Sequence, residues 1–113
     1  MDVSRARSDL EGSRFGRVTI VDETGSTNDD LARAARSGAG EQVLVADHQR
    51  AGRGRAGRVW EAPAGASLLC SFLVHPALTL ADAHLVTTAL GLAALDAVES
   101  VCGVHLGLKW PND

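Results

Sequence analysis

Four arginines and three glycines lie between His48 and Trp60, in the run HQRAGRGRAGRVW, within a chain whose Lys+Arg total is 11 and whose glycines number 12. Arg50, Arg53, Arg55 and Arg58 are gathered here although the net charge is −3. A guanidinium presents a planar fork that pairs two-fold with a carboxylate or a phosphate. Glycines between such residues let backbone N–H groups come close to an anion. The chemistry that suits this pattern is the holding of one small, highly charged anion. A dinucleotide turn, a nucleic-acid grip and a dedicated anion loop compete for it, beside the bland reading of a solvated surface loop.

The dinucleotide turn fails on context. Gly52-Arg-Gly54-Arg-Ala-Gly57 has the G-x-G-x-x-G spacing, but that fingerprint must open a helix whose N-terminus faces a pyrophosphate. Here RVWEAPAGAS follows, with Pro63, Gly65 and no apolar period. The acidic residue expected about 20 positions on is missing, since Asp82 comes too late. No Gly-Lys-Ser/Thr follows either, so the run is not a P-loop. The acidic balance and the lack of interleaved aromatics disfavour nucleic acid. The anion loop is left: mobile when empty because its arginines repel one another, and closed when an anion neutralises them.

The rest of the chain must position that loop. At 113 residues with 45% hydrophobic residues, two Trp, two Phe and no Tyr, it reads as one domain with a small aliphatic core. Residues 1–14 read as a flexible tail without a secretory pattern, and 15–113 as the domain. Val18–Val21 is a β-branched strand. Ser26 or Thr27 caps a helix that carries Asp29 and Asp30 early, Arg33 and Arg36 late, and Gly38 at its stop. Val43–Ala46 and Ser67–His75 read as strands, with Val59-Trp60 the start of another. Thr79 and Asp82 open a long helix with Val86, Leu90, Ala93, Ala97 and Val101 on a core stripe, ended by Gly103. VHLGLKW returns as a strand up to Pro111. The order is β-α-β-loop-β-α-β.

Cys70 and Cys102 lack zinc-like spacing and read as reduced, buried thiols of a cytoplasmic protein. The four dispersed histidines read as structural, and no metal site is assigned. The apolar stretch Leu80–Val101 is broken by Asp82, His84, Asp96 and Glu99, so it reads as a core helix of a soluble protein.

Three motifs in order, Ser26-Thr27-Asn28, Gln49-Arg-Ala-Gly-Arg-Gly-Arg-Ala-Gly-Arg-Val-Trp60 and Lys109-Trp-Pro-Asn-Asp113, resemble the signature motifs of biotin–protein ligases. The resemblance spans residues 18–113. It implies an α+β fold: a largely antiparallel or mixed sheet with helices packed on one face, of the biotin/lipoate ligase catalytic type and incomplete at the C-terminus. It implies a biotin–(acetyl-CoA-carboxylase) ligase activity, in which Mg2+ and ATP convert biotin to biotinyl-5'-adenylate. The acyl group then passes to a lysine of a biotin carboxyl carrier domain. Separately from the resemblance, the net charge of −3 argues against a nucleic-acid partner and the broken apolar stretch against a membrane.

By the same resemblance Arg53 and Arg55 are the catalytic arginines, closing over biotin and the adenylate. Ser26, Thr27, Asn28, Gln49 and Gly54 join them as biotin contacts. Gly52, Arg58, Trp60, Lys109, Asn112 and Asp113 fall to the ATP and adenylate side. Ser-Thr-Asn is also ordinary helix-cap chemistry, and both roles can coexist. Trp60 either stacks on adenine or anchors the loop, and the Trp110-Pro111 pair also serves as a plain strand end. The family's lysine in a Lys-x-x-Gly-Ile context has no counterpart here. The expectation is an N-terminal fragment of a longer ligase, inactive or poorly active alone. The rival readings are a lipoate-type ligase or acyltransferase and a non-catalytic biotin- or anion-binding module.

Overall fold

The computed structural model describes residues 3–109, which fall into two compact units divided between His75 and Pro76. In the first, strands β1 (Val18–Thr24), β2 (Gln42–Gln49) and β3 (Leu69–Leu73) form a sheet in that order. β1 and β2 run parallel, with α2 (Thr27–Arg36) as the crossover between them, and β3 pairs antiparallel to β2. A parallel pair cannot be closed by a tight turn, so the helix between the strands is a topological necessity. The fold is α+β with a mixed sheet.

The alternation of side chains along each strand gives the sheet two covered faces. Val18 and Val43 pair with Phe72 in one row, and Ile20 and Val45 with Cys70 in the next. Leu10 and Phe15 pack on this face, with Phe15 edge-on to Phe72 at 5.4 Å between ring centroids. Leu10 ends a helix, α1 (Val3–Leu10), in a segment read from sequence as a tail. Its polarity hides the one residue in it that reaches the core. The opposite face carries Leu44, Ala46, Leu69 and Ser71, and α2 packs against β2 and β3 there with Leu31 buried.

The cap of α2 is Ser26: its backbone is extended, and its Oγ accepts from Asp29 N–H at 3.4 Å. Ser37 closes the helix and Gly38 follows at φ 81°, the left-handed position that glycine takes without cost. β2 runs three residues past the predicted Val43–Ala46 because pairing with β1 continues to Thr24↔Gln49.

In the second unit, a 3-10 turn at Leu80–Asp82 precedes α3 (His84–Cys102), and Gly103 ends it at φ 66°. No residue of α3 is buried. Its partly covered positions are Val86, Thr88, Leu90, Gly91, Leu95 and Val98, so Ala93, Ala97 and Val101 of the predicted stripe are exposed. Leu108 lies over Gly91, where a Cβ would meet its Cδ1 at 3.2 Å. Residues 104–109 form no strand. An extended segment becomes a strand only by pairing with another, and residues 104–109 pair with no strand among the described residues. By length and composition Leu80–Cys102 is apolar enough to cross a membrane, with a mean hydropathy of 1.5. Asp96 within it would cost about 2.5–3.5 kcal/mol at a bilayer centre.

Candidate functional site

β1 and β2 are parallel, so their carboxyl ends, Thr24 and Gln49, lie at one edge of the sheet. Ligands commonly sit outside such ends. The chain leaves β1 through Gly25 straight into the Ser26 cap, and leaves β2 straight into the arginine run. Thr27 and Gln49, 22 residues apart in sequence, are thereby brought together. They enclose a cavity of about 250 Å³ lined by Ser26, Thr27, Asn28, Gln49, Arg53 and Trp60, and by Ser67–Ser71 on the β3 side.

The floor is polar and closely bonded. Thr27 N–H donates to Gln49 Oε1 at 2.8 Å, and Thr27 Oγ1 lies 2.9 Å from the same oxygen. Ser71 Oγ is 2.8 Å from Thr27 Oγ1 and 2.6 Å from Asn28 Oδ1. Ser26, Thr27 and Ser71 are buried while Asn28 is exposed. The cap role and a ligand role for Ser26–Asn28 are therefore compatible: the cap delivers the three residues to the cavity wall.

The arginine run is a hairpin. Arg50 N–H and Ala51 N–H donate to Thr24 and Gly25, prolonging the parallel pairing. Gly52 accepts from Trp60 N–H at 2.8 Å, Arg53 bridges Val59, and Gly54 N–H donates to Arg58 at 2.7 Å. Arg55–Gly57 is a single 3-10 turn at the tip, so no helix N-terminus follows the third glycine. Gly52 is a close-approach glycine, since a Cβ there would sit 2.5 Å from the Trp60 carbonyl oxygen. Ala56 and Gly57 at the tip are both left-handed, at φ 55° and 74°.

Two of the four loop arginines are paired with carboxylates. Arg53 bonds to Asp29 on the first turn of α2, and Arg50 to Glu23 at 3.2 Å. Arg55 and Arg58 carry no ion pair among the described residues. Arg53 faces the cavity; Arg58 lines an adjoining hollow with Asp29, Arg50, Gly52 and Gly54. Arg55, at the tip, lines neither. Trp60 is 54% exposed and lines the cavity, so it is no core anchor. Lys109 belongs to the second unit and is exposed. Trp110, Asn112 and Asp113 lie outside the described residues.

Cys70 is a half-buried free thiol on the sheet face of Ile20 and Val45, and burial pushes its pKa up, so it is protonated at neutral pH. Cys102 is free too, but exposed. Each histidine has a local polar partner, such as Glu23 for His48 at 2.9 Å and the Ala39 carbonyl for His75 at 3.0 Å. Among the described residues no three His, Cys, Asp or Glu side chains gather as a metal site. Sequence reasoning missed Ser71 and Asp29. Ser71 had a signal, a hydroxyl amid the apolar run Leu68 to Val74. Asp29 had none beyond its helix-cap position.

The profile of the biotin/lipoate A/B protein ligase family matches residues 19–113. The chain is 44% identical over 108 residues to a biotin–(acetyl-CoA-carboxylase) ligase of Mycobacterium tuberculosis, covering 90% of this chain and 41% of that protein. A ligase of the same name from Paracoccus denitrificans is 40% identical over 96 residues, covering 83% and 40%. A biotin protein ligase of Leishmania major, solved with biotinyl-5-AMP, superposes with a TM-score of 0.67 at 30% identity, covering 86% of this chain and 46% of that one. The chain thus spans less than half the length of these relatives. From the ordered motifs, the mixed sheet and these likenesses it follows that this chain belongs to the biotin/lipoate A/B protein ligase family, on its biotin–protein ligase side.

Proposed function

We propose that residues 15–113 form the N-terminal portion of a ligase catalytic domain that binds biotin and joins its carboxylate to AMP. Mg-ATP is the co-substrate, and the biotinyl group then passes to a lysine of a biotin carboxyl carrier domain. The observation that carries the reading is the convergence of Ser26, Thr27, Asn28, Gln49 and Arg53 on one cavity. Hydroxyls and amides on a polar floor suit a ureido head, and an arginine at the rim suits a carboxylate.

The first step brings a carboxylate against an α-phosphate, two groups of like charge. Arg53 neutralises that charge at the cavity, and stabilises more of it as the new bond develops. Arg55 and Arg58, on the tip and outer side of the hairpin, meet the phosphates as these arrive. Magnesium would arrive with the nucleotide and help to neutralise its phosphates. The hairpin then keeps water from the mixed anhydride. Lys109, Asn112 and Asp113 are assigned to the nucleotide by their sequence motif alone, and Trp60 offers a flat surface beside Arg53. The proposed setting of the reaction is the cytoplasm. Turnover by these residues alone is proposed to be poor, as a portion of a longer catalytic domain.

Thermal unfolding of the purified chain tests the binding claim. Biotin at 100 times its Kd adds about 2.7 kcal/mol to the folded state, a rise of about 10 °C or more for a domain of this size. Lipoate produces no such rise. Stabilisation by lipoate but not biotin would make this a lipoate-type protein. Biotin binding with Mg-ATP present but without any biotinyl-5'-adenylate in the full-length gene product would make it a binding module.

A further inference from the structure

Counting protons in the cavity floor shows which hydrogen-bonding group is left for a ligand. Thr27 N–H donates to Gln49 Oε1 at 2.8 Å, so the Gln49 amide has one orientation; turned over, two donors would meet. Three oxygen–oxygen contacts remain: Thr27 Oγ1 to Gln49 Oε1 at 2.9 Å, Thr27 Oγ1 to Ser71 Oγ at 2.8 Å, and Ser71 Oγ to Asn28 Oδ1 at 2.6 Å. Only two hydroxyl protons, those of Thr27 and Ser71, are there to fill them. One contact is left with lone pair facing lone pair, beside side chains that are 4% (Thr27) and 7% (Ser71) exposed, and unpaired polar groups in such places are rare and costly.

A half-turn of the Asn28 amide exchanges its oxygen and nitrogen, which are nearly alike in shape, and supplies the third proton. All bonds then run one way. Asn28 Nδ2–H donates to Ser71 Oγ, Ser71 Oγ–H to Thr27 Oγ1, and Thr27 Oγ1–H to Gln49 Oε1. With Gln49 held by a backbone donor, no other assignment fills every contact.

We infer that Ser71 is a positioning residue that sets the polarity of the site. By accepting from Asn28 Nδ2, it leaves Asn28 Oδ1 as the free end of the chain of bonds, on the exposed side of the cavity. The site therefore selects a ligand that offers an N–H donor to Asn28. This rests on the biotin reading, in which the donor is a ureido N–H.

The test is isothermal titration of the protein with biotin and with its two cyclic carbamate analogues, in which one or the other ureido N–H is replaced by oxygen. The wild-type protein binds biotin about 10- to 100-fold more tightly than one of the two analogues, the cost of one unmatched hydrogen bond. Ser71→Ala frees the Asn28 amide to turn and donate to the analogue, so the preference drops below about threefold. A merely structural loss would weaken both ligands equally and keep the ratio. If Ser71→Ala does not fold, Ser71→Cys, whose sulfur is a poor acceptor, serves for the same comparison. An unchanged ratio in the folded variant, or no preference in the wild type, overturns the inference and leaves biotin binding intact. No biotin binding by the wild type overturns the function proposed above, and this inference with it.

Discussion

Replacing Gly52 by alanine asks the most of the loop geometry. The new Cβ would stand 2.5 Å from the Trp60 carbonyl oxygen and 3.1 Å from Gln49 Nε2. Reaching ordinary contact means a retreat from 2.5 to at least 3.4 Å, and the nearest atom is backbone, which cannot rotate aside. The bond from Trp60 N–H to Gly52 O, 2.8 Å long, joins the same two residues and opens with them. Overpacking of this kind costs about 1–3 kcal/mol, and a lost backbone hydrogen bond about 0.5–1.5 kcal/mol. Free protein avoids much of this by letting the hairpin swing out, since the hairpin lies beyond the sheet. Bound protein cannot, because Gln49, Arg53 and Trp60 must all return to the cavity. The penalty of about 2–4 kcal/mol therefore falls on affinity, as roughly a 30- to 700-fold rise in the Kd for biotin. Gly40→Ala is the control, being exposed with nothing within 4 Å of its would-be Cβ. Isothermal titration of both variants decides the matter. A Gly52→Ala protein that binds biotin within threefold of the Gly40→Ala control would refute the coupling of hairpin and cavity.

Two further outcomes follow from the charges and thiols. The Arg14 guanidinium donating to Glu41, helped by the His75 N–H, holds the Glu41 carboxyl down from 4.5 to about 2. A depressed folded-state pKa adds stability that is fully present above the unfolded value near 4.5 and disappears as pH falls through 2. Urea midpoints of the wild type thus fall more steeply between pH 6 and pH 2.5 than those of Glu41→Gln, and parallel profiles would exclude this pair as a source of acid sensitivity. Iodoacetamide at pH 8 modifies exposed Cys102 before half-buried Cys70. Equal rates read by mass spectrometry would contradict the burial of Cys70.

Local chemistry was legible from sequence where it depends on neighbours in the chain. Ser26 caps α2, Gly38 and Gly103 stop helices, and the third glycine of the arginine run opens no helix, because capping and turn geometry are decided within a few residues. The motif residues Ser26–Asn28, Gln49 and Arg53 were likewise named from sequence, and they share one cavity. What sequence could not supply was anything set by partners distant along the chain. Leu10 reaches the core from a polar segment, and residues 104–109 have strand-like composition but pair with no strand among the described residues. Ser71, 43 residues from Asn28, closes the bonding on the cavity floor, and Asp29 meets Arg53 across the cavity edge. A residue's type limits the bonds it can make. Which bonds form depends on parallel strands ending at one edge and a helix laid across them, and that arrangement exists only once the chain has folded.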